Sequence, residues 1–236
     1  MPNRCSTVRF KWRGCVQYGI LSCSNTDGRR TMITIIDYGA GNIKSVEKAL
    51  QFLGEEVLLS GDPQKVRTAE KLILPGVGSF GDAMKNLEDR DLVSAIREAA
   101  EKGIPLLGIC LGLQLLFESS EESPGVEGLG LLKGKILRLP DTPGLKIPHM
   151  GWNSLHLIHD GTLFSGIVEG AYVYFVHSYY LQAEDISIVK ATAQYGAVIH
   201  ASVESGSIFG MQYHPEKSSD IGLAMLKNFA AVGKEA

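Results

Sequence analysis

The chain of 236 residues is 44% hydrophobic and 21% charged, which is enough apolar material for one large α/β domain or two small ones. Its net charge of −3 gives no indication of a nucleic-acid partner or an anionic membrane surface, and no apolar run approaches the ~18 residues that span a bilayer. Three of the four cysteines lie in the first 31 residues, so the remainder has no disulfide framework and we predict a cytoplasmic protein.

The first 31 residues differ in composition from the rest. They carry six basic residues against one acidic residue, Asp27. Such an acid-poor start resembles an organellar transit peptide. We favour the alternative that translation begins at Met32, because this residue opens directly onto a predicted buried strand. Residues 1–31 are therefore expected to be a disordered basic leader or a non-native start, and residues 32–236 to form one domain.

From Met32 onward, predicted strands and helices alternate. The first strand covers residues 33–36, and a glycine-rich turn leads to a helix with its N-cap at Asn42 and its end at Gly54. Strands are predicted at 57–59, 72–74 and 104–107, with helices around 82–87 and 92–102. This alternation implies a parallel sheet with right-handed crossovers. Further strands are predicted at 135–139, 172–176, 188–192 and 207–212, before a closing helix capped by Ser218 or Ser219.

The segment Gly108-Ile109-Cys110-Leu111-Gly112 lies between a buried strand and a predicted helix, which extends over Leu115-Leu116-Phe117. Glycines on either side of a central residue are typical of a tight elbow that lifts one side chain out of the backbone. The N-terminus of the following helix favours a thiolate. A lone cysteine after an apolar strand is more often a small core residue, but the flanking glycines favour a nucleophile at Cys110.

A second segment, Tyr213-His214-Pro215-Glu216, provides the groups that a thiol nucleophile needs. An imidazole moves protons and a carboxylate orients it. We therefore predict a catalytic triad of Cys110, His214 and Glu216.

A glycine-rich loop, Pro75-Gly76-Val77-Gly78, follows another buried strand. Taken alone, this loop is as well explained by a simple tight turn as by a site for negative charge. Beside the elbow, however, its backbone N–H groups would face a developing negative charge. We predict an oxyanion hole formed by Gly76, Val77 and Leu111.

Ordered motifs along the chain resemble one known family. Together with the elbow and Gln114, they are Asp37-Tyr38-Gly39-Ala40-Gly41-Asn42, Pro75-Gly76-Val77-Gly78, Pro148-His149-Met150-Gly151-Trp152-Asn153 and His214-Pro215-Glu216-Lys217-Ser218. This set resembles the triad-type, class I glutamine amidotransferases, and more narrowly the glutaminase subunits of imidazole glycerol phosphate synthases. The match covers nearly all of residues 32–230.

The resemblance implies a fold and an activity. The fold would be α/β and flavodoxin-like, with a mostly parallel central sheet flanked by helices and added antiparallel strands. The activity would be hydrolysis of glutamine to glutamate, with ammonia passed to a cyclase for histidine biosynthesis. Because a (βα)₈ barrel needs ~250 residues, the cyclase would be a separate subunit in a heterodimer. No cofactor and no metal would be needed.

The resemblance also implies residues that bind glutamine, namely Gly78, Gln114, Glu122 and Ser178. An equally good interpretation of Glu122 is a solvated residue of an acidic run. Trp152 would face the cyclase, although a tryptophan is buried by default. His177 is interpreted as a structural histidine at a strand end. The remaining histidines, His156, His159 and His200, show no metal-ligand spacing.

Two alternatives stay open from the sequence. The chain could serve another ammonia-using synthase, for anthranilate, guanylate, carbamoyl phosphate or pyridoxal phosphate, although the motifs at 37–42 and 75–78 argue against these. It could also be a flavodoxin-like cysteine protein of the chaperone or deglycase class. The His214–Glu216 pair disfavours that second alternative.

Overall fold

A computed structural model describes residues 9–12, 15–18 and 31–233. The chain divides into two compact units, Met1–Arg30 and Thr31–Ala236. In the first unit, β1 (Arg9–Trp12) and β2 (Cys15–Tyr18) pair antiparallel. Most of the predicted leader lies outside the described residues, and its role stays a prediction.

The second unit contains the remaining described strands and helices. Its strands are β3 (Met32–Ile36), β4 (Glu56–Ser60), β5 (Lys71–Leu74), β6 (Leu106–Ile109), β7 (Ser119–Ser120), β8 (Gly134–Arg138), β9 (His149–Ser154), β10 (His156–Leu157), β11 (Tyr172–His177), β12 (Tyr179–Ala183), β13 (Val189–Tyr195), β14 (Ala197–Ser205) and β15 (Ile208–Met211). Its α-helices are α1 (Ile43–Phe52), α2 (Pro63–Arg67), α3 (Phe80–Glu88), α4 (Leu92–Glu101), α5 (Leu111–Leu115) and α6 (Ser219–Ala231). Over the described ranges, no helix is both long and apolar enough to cross a membrane.

An eight-stranded sheet in the order β10-β13-β14-β15-β6-β5-β3-β4 forms the centre of this unit. Strands β4, β3, β5, β6 and β15 run parallel, whereas β14, β13 and β10 add an antiparallel extension. Two smaller sheets, β11-β9 and β12-β8-β7, lie outside it. The predicted mostly parallel sheet with added antiparallel strands is confirmed.

Strands β3, β5 and β6 are buried on both faces, which explains their continuous apolar runs. Neighbouring residues of a strand point to opposite faces, so Ile35 packs into one hydrophobic cluster and Ile36 into the other. Helices α1 and α6 cover the first face, for example through Leu50 and Phe229. Helices α3 and α4 cover the second face, and Leu87 is among their buried residues. The sheet is therefore a rigid layer between two cores.

Several local predictions needed correction. Strand β13 begins at Val189 rather than at 188, because residues 186–188 form a 3₁₀ turn in which the Asp185 side chain accepts from the backbone N–H of Ser187. Helix α5 ends at Leu115 instead of continuing through Phe117. Strands β9, β12 and β14 were not predicted, because polar residues, and in β9 also a glycine, interrupt the alternation that identifies a strand.

Candidate active site

Four parallel strands bring the predicted site residues to one edge of the sheet. Strand β3 ends before the turn at 37–42, β5 before the loop at 75–78, β6 before Cys110, and β15 before His214. The carboxyl ends of parallel strands meet at the same edge, which is where open α/β sheets bind their ligands. Segments that are far apart in the chain therefore converge here.

Cys110 lies at a strained elbow between β6 and α5. Its φ of 54° and ψ of −107° are unusual for a residue with a Cβ atom. Gly112 permits the close turn, since a Cβ atom there would lie 1.8 Å from the carbonyl oxygen of Leu74. The Cys110 side chain is free and buried, and its backbone N–H donates to Met211 O at 2.7 Å. The elbow geometry predicted from the glycines is present.

Strand β15 brings His214 to this elbow. It pairs parallel with β6, with Met211 opposite Ile109. The Nδ1–H of His214 donates to Glu216 Oε1 at 2.8 Å, and both side chains are almost fully buried. This bond defines the tautomer and leaves Nε2 as the nitrogen that can exchange protons with a thiol or a substrate. Among the described residues, Nε2 has no hydrogen-bond partner.

Burial alone would lower the pKa of His214, but the proximity of Cys110 and the bond to Glu216 raise the pKa to about 9. These neighbours therefore favour the protonated form of His214 at neutral pH. The structure thus brings Cys110 and the His214–Glu216 pair to the same edge of the sheet, at the ends of the adjacent strands β6 and β15.

Asn42 is a site residue that the sequence analysis missed. It occupies the N-cap position of α1 in a left-handed conformation with φ of 70°, but its side chain makes no capping hydrogen bond. Instead, Nδ2 donates to Glu216 Oε1 at 2.5 Å. Asparagine tolerates left-handed backbone, which was the available signal. The predicted cap is thus a second partner of the Glu216 carboxylate.

Ser218 is likewise not a conventional cap. It stands before α6 without a side-chain capping bond. Its hydroxyl donates to His214 O at 2.7 Å and accepts from Tyr174 N at 2.9 Å. Ser218 therefore attaches the segment that carries His214 and Glu216 to strand β11.

The loop at 75–78 lies against the elbow. The Tyr38 hydroxyl donates to Pro75 O at 2.9 Å, and burial followed by the Cys110 charge raises the pKa of Tyr38, so the hydroxyl stays a donor. A Cβ atom on Gly76 would lie 2.6 Å from that hydroxyl and 3.0 Å from Leu111 Cβ. Only glycine lets the loop approach this closely.

A cavity of about 280 Å³ opens over the elbow. This is at the small end of ligand sites. Its lining includes all four residues predicted to bind glutamine and two of the predicted oxyanion residues, and in full consists of Val77, Gly78, Cys110, Leu111, Gln114, Glu122, Pro148, Val176, His177, Ser178 and Tyr179. Gly76, His214 and Glu216 are not among the lining residues.

Gln114 and Glu122 are both held by protein contacts at this cavity. Gln114 Nε2 donates to Tyr179 O at 2.9 Å and to Gln212 Oε1 at 3.2 Å, which uses both amide hydrogens. Glu122 Oε2 accepts from the backbone N–H of Phe80 at 2.8 Å, at the start of α3. Glu122 is therefore an anchored, half-buried residue of the cavity wall.

The other histidines do not belong to the predicted triad, although His177 lines the cavity together with Cys110. His177 is buried at the end of β11. His200 Nδ1 accepts from the backbone N–H of Ala183 at 3.0 Å, and His156 pairs with Glu169 on the surface. Within the part of the chain that the structure describes, no group of three His, Cys, Asp or Glu residues is placed to hold a metal ion.

The model of the class-I glutamine amidotransferase family matches residues 34–232, and the chain belongs to this family. Within it, imidazole glycerol phosphate synthase subunit HisH of Moorella thermoacetica is 53% identical over 204 residues, which cover 86% of this chain and 96% of that protein. The protein of the same name from Aquifex aeolicus is 52% identical over 196 residues, which cover 83% and 94%. The predicted family resemblance is confirmed.

Solved structures agree on the fold. A chain of PurLQS from Thermotoga maritima is similar with a TM-score of 0.66 at 25% identity, covering 85% of this chain and 98% of that chain. A glutamine amidotransferase structure is similar with a TM-score of 0.67 at 20% identity, covering 85% and 99%. The predicted fold class is confirmed.

Proposed function

We propose that this chain is the glutaminase subunit of an imidazole glycerol phosphate synthase and acts in histidine biosynthesis. It hydrolyses glutamine to glutamate and delivers the ammonia to a separate cyclase subunit with a (βα)₈ barrel. The observation that carries the proposal is the meeting of Cys110 with the His214–Glu216 pair beside a small cavity. The identity of more than half of all aligned positions with HisH subunits supports the choice of synthase.

The first half-reaction forms a thioester. The Cys110 thiolate attacks the side-chain carbonyl carbon of glutamine, and the backbone N–H groups of Gly76, Val77 and Leu111 stabilise the oxyanion. The C–N bond then breaks, and His214 Nε2 gives its proton to the leaving nitrogen. Ammonia departs and the acyl group stays on sulfur.

The second half-reaction hydrolyses that thioester. His214, now neutral, takes a proton from water as the oxygen attacks the acyl carbon. The C–S bond breaks, glutamate leaves, and the thiolate returns beside an imidazolium. Glu216 keeps the proton on Nδ1 through both steps, with Asn42 holding its carboxylate. These steps need no cofactor, because Cys110, His214 and water account for every proton and electron pair.

The cavity wall fits the charged end of glutamine. With both Gln114 amide hydrogens engaged by the protein, only its carbonyl oxygen is left to accept from the α-ammonium group. The Glu122 carboxylate adds negative charge for the same group. Gly78 and the backbone at Ser178 complete the wall around the substrate.

An apolar surface suits the cyclase. Met150 on β9 is 62% exposed, Trp152 is 51% exposed, and Tyr172 on β11 is 60% exposed. Large exposed apolar and aromatic side chains are typical of interface anchors. We place the heterodimer interface on this face of β9 and β11, and the complex in the cytoplasm. Nucleic acid and membrane have no part in the proposal.

The test is glutamate release from glutamine by the purified subunit, alone and with its cyclase. We expect low turnover alone, strong stimulation by the cyclase, and a loss of about 10³-fold or more in Cys110→Ser. A melting temperature near that of the wild type shows that Cys110→Ser is folded. Unchanged activity in Cys110→Ser, or stimulation by the synthase of another pathway instead of the cyclase, would contradict the proposal.

A further inference from the structure

Two buried histidines that the triad does not use lie side by side between the active-site cavity and the surface. His149 and His177 face each other across the β9–β11 pair. Their side chains are joined by a hydrogen bond of 3.0 Å between His149 Nδ1 and His177 Nε2. His149 is also stacked between the rings of Phe175 and Tyr195, at centroid distances of 4.7 Å and 3.9 Å. Neither ring can rotate without breaking these contacts.

The hydrogen-bond partners define the proton on each ring. His177 Nδ1 lies 2.9 Å from Tyr179 O, and a carbonyl oxygen only accepts, so His177 carries its proton on Nδ1. Its Nε2 is then an acceptor, which requires a proton on His149 Nδ1. His149 Nε2 in turn accepts from Asn153 Nδ2, 3.4 Å away. These hydrogen bonds form a chain in which each group donates to the next, from Asn153 through both imidazoles to the Tyr179 carbonyl. We call it the hydrogen-bond chain.

Burial maintains this neutral arrangement. Desolvation lowers the pKa of His149 to about 4, and desolvation together with the His149 charge lowers the pKa of His177 to about 3. Both rings therefore keep one proton each throughout the pH range in which enzymes work. A second proton on either ring would place two donors against each other and break the hydrogen-bond chain.

The inner end of the hydrogen-bond chain, at the Tyr179 carbonyl, lies in the cavity wall. Tyr179 O accepts from His177 and also from Gln114 Nε2 at 2.9 Å. Gln114 continues to Gln212, whose Nε2 lies 3.9 Å from Cys110 Sγ. The position of the Tyr179 carbonyl thus determines where Gln114 stands relative to the nucleophile.

The outer end of the hydrogen-bond chain, at Asn153, lies on β9, one of the two strands of the proposed cyclase interface. Alternate residues of β9 point to opposite faces, so His149 and Asn153 lie beneath the exposed side chains of Met150 and Trp152. Asn153 Nδ2 also donates to Gln194 O of β13 at 3.0 Å, which attaches it to the main sheet. A shift of β9 under a docked partner would therefore move His149.

We propose that His149 and His177 are positioning residues that couple the exposed face of β9 to the wall of the glutamine cavity. The inference rests on the proposed function, since it concerns how that glutaminase is switched on. His177 holds the Tyr179 carbonyl and, through it, Gln114. His149 transmits the position of β9 to His177.

Two substitutions of His177 test the two ends of the hydrogen-bond chain separately. In His177→Asn, the amide nitrogen takes the place of Nδ1 and still donates to Tyr179 O, but the link to His149 is lost. In His177→Gln, the amide reaches the place of Nε2 and still accepts from His149, but the donor to Tyr179 O is lost. The matched control is His200→Asn, because His200 is a buried histidine that accepts one backbone bond and lies outside the cavity lining.

The readouts are KM for glutamine and the ratio of glutamate release with and without the cyclase. We expect His177→Gln to raise KM about tenfold or more, because Gln114 loses its fixed partner. We expect His177→Asn to keep KM near the wild-type value and to lower stimulation by the cyclase about tenfold. His149→Ala, which removes the link from the other side, should lower stimulation in the same way.

The control defines the result that overturns the inference. His200→Asn should change the melting temperature without changing KM or stimulation. If both His177 variants and His149→Ala behave like His200→Asn, the histidine pair is only structural. A wild-type complex that releases no glutamate would instead overturn the proposed function, and the inference with it.

Discussion

Asn42 and Glu216 are 174 residues apart in the chain, yet the Asn42 amide donates to the Glu216 carboxylate at 2.5 Å. That carboxylate accepts the Nδ1–H of His214 on the same oxygen, Oε1. A carboxylate bonded from two sides has little freedom to turn away. The orientation of the His214 imidazole therefore depends on the turn after β3, which carries Asn42.

Asn42→Gly tests this dependence. Glycine adopts the left-handed backbone of position 42 at no steric cost, so the substitution removes the side chain alone. We expect kcat for glutamate release to fall about tenfold, because His214 is less well oriented. KM for glutamine should stay unchanged, since Asn42 is not among the residues that line the cavity.

Asp91→Gly is the matched control for this variant. Asp91 is also a left-handed residue before a helix, α4, without a capping bond from its side chain. We expect normal kcat in Asp91→Gly, so an equal loss in both variants would attribute the effect to the helix start rather than to Glu216.

The pH dependence of catalysis should change in Glu216→Gln. The proposed mechanism needs a protonated His214, whose pKa of about 9 is raised by Cys110 and Glu216 against the effect of burial. In the wild type, kcat/KM should therefore decline on the alkaline side near that pKa. Removing the Glu216 charge lowers the pKa of His214, so the decline should move to lower pH by about one unit or more. An alkaline limb at the same pH in both enzymes would contradict this assignment.

Acid should destabilise the fold through His149 and His177. Their folded pKa values, about 4 and about 3, lie below the ordinary value of 6.5. Below pH 6.5 the two histidines bind protons in the unfolded chain but not in the folded protein. The free energy of unfolding is therefore full above that pH and falls as the pH approaches the folded-state pKa values. The slope is up to ~1.4 kcal/mol per pH unit for each imidazole.

The measurement is urea unfolding at about pH 7 and about pH 5.5, on the wild type and on a His149→Asn, His177→Asn double variant. The double variant is expected to be less stable at both pH values but to lose less stability between them. An equal loss in both proteins would show that other groups titrate instead.

Trp152→Ala should weaken assembly with the cyclase more than it weakens folding. A half-exposed tryptophan at the centre of an interface contributes about 2 kcal/mol or more to binding, so Kd should rise about 30-fold. The melting temperature should stay close to the wild-type value. Phe52→Ala is the control, because Phe52 is a large aromatic residue that is 79% exposed and belongs to α1 rather than to β9 or β11. Full affinity in Trp152→Ala would place the interface elsewhere.

Much of the site could be predicted from the sequence because its signals are local. Continuous apolar runs identified the parallel strands, since both faces of these strands are buried. The glycines around Cys110 identified the elbow, because only glycine permits that backbone approach. The residue types at 214 and 216 indicated proton transfer before any geometry was available.

Other features depend on which strands are neighbours. Cys110 and His214 meet because β6 and β15 are adjacent and parallel, and no local pattern encodes that order. Asn42 looked like a helix cap because its partner Glu216 comes from the other end of the chain. The protonation of His149 and His177 follows from the atoms around them, and burial of those atoms exists only after folding.

The sequence by itself determined the parallel strands, the glycine-rich turns and the chemical groups at the site, since these depend on backbone sterics and side-chain identity. Only the tertiary structure decided which groups share a hydrogen bond, which proton each imidazole carries and which face of β9 stays exposed. The physical reason is that hydrogen bonding and desolvation act over a few ångströms in space, whatever the separation along the chain.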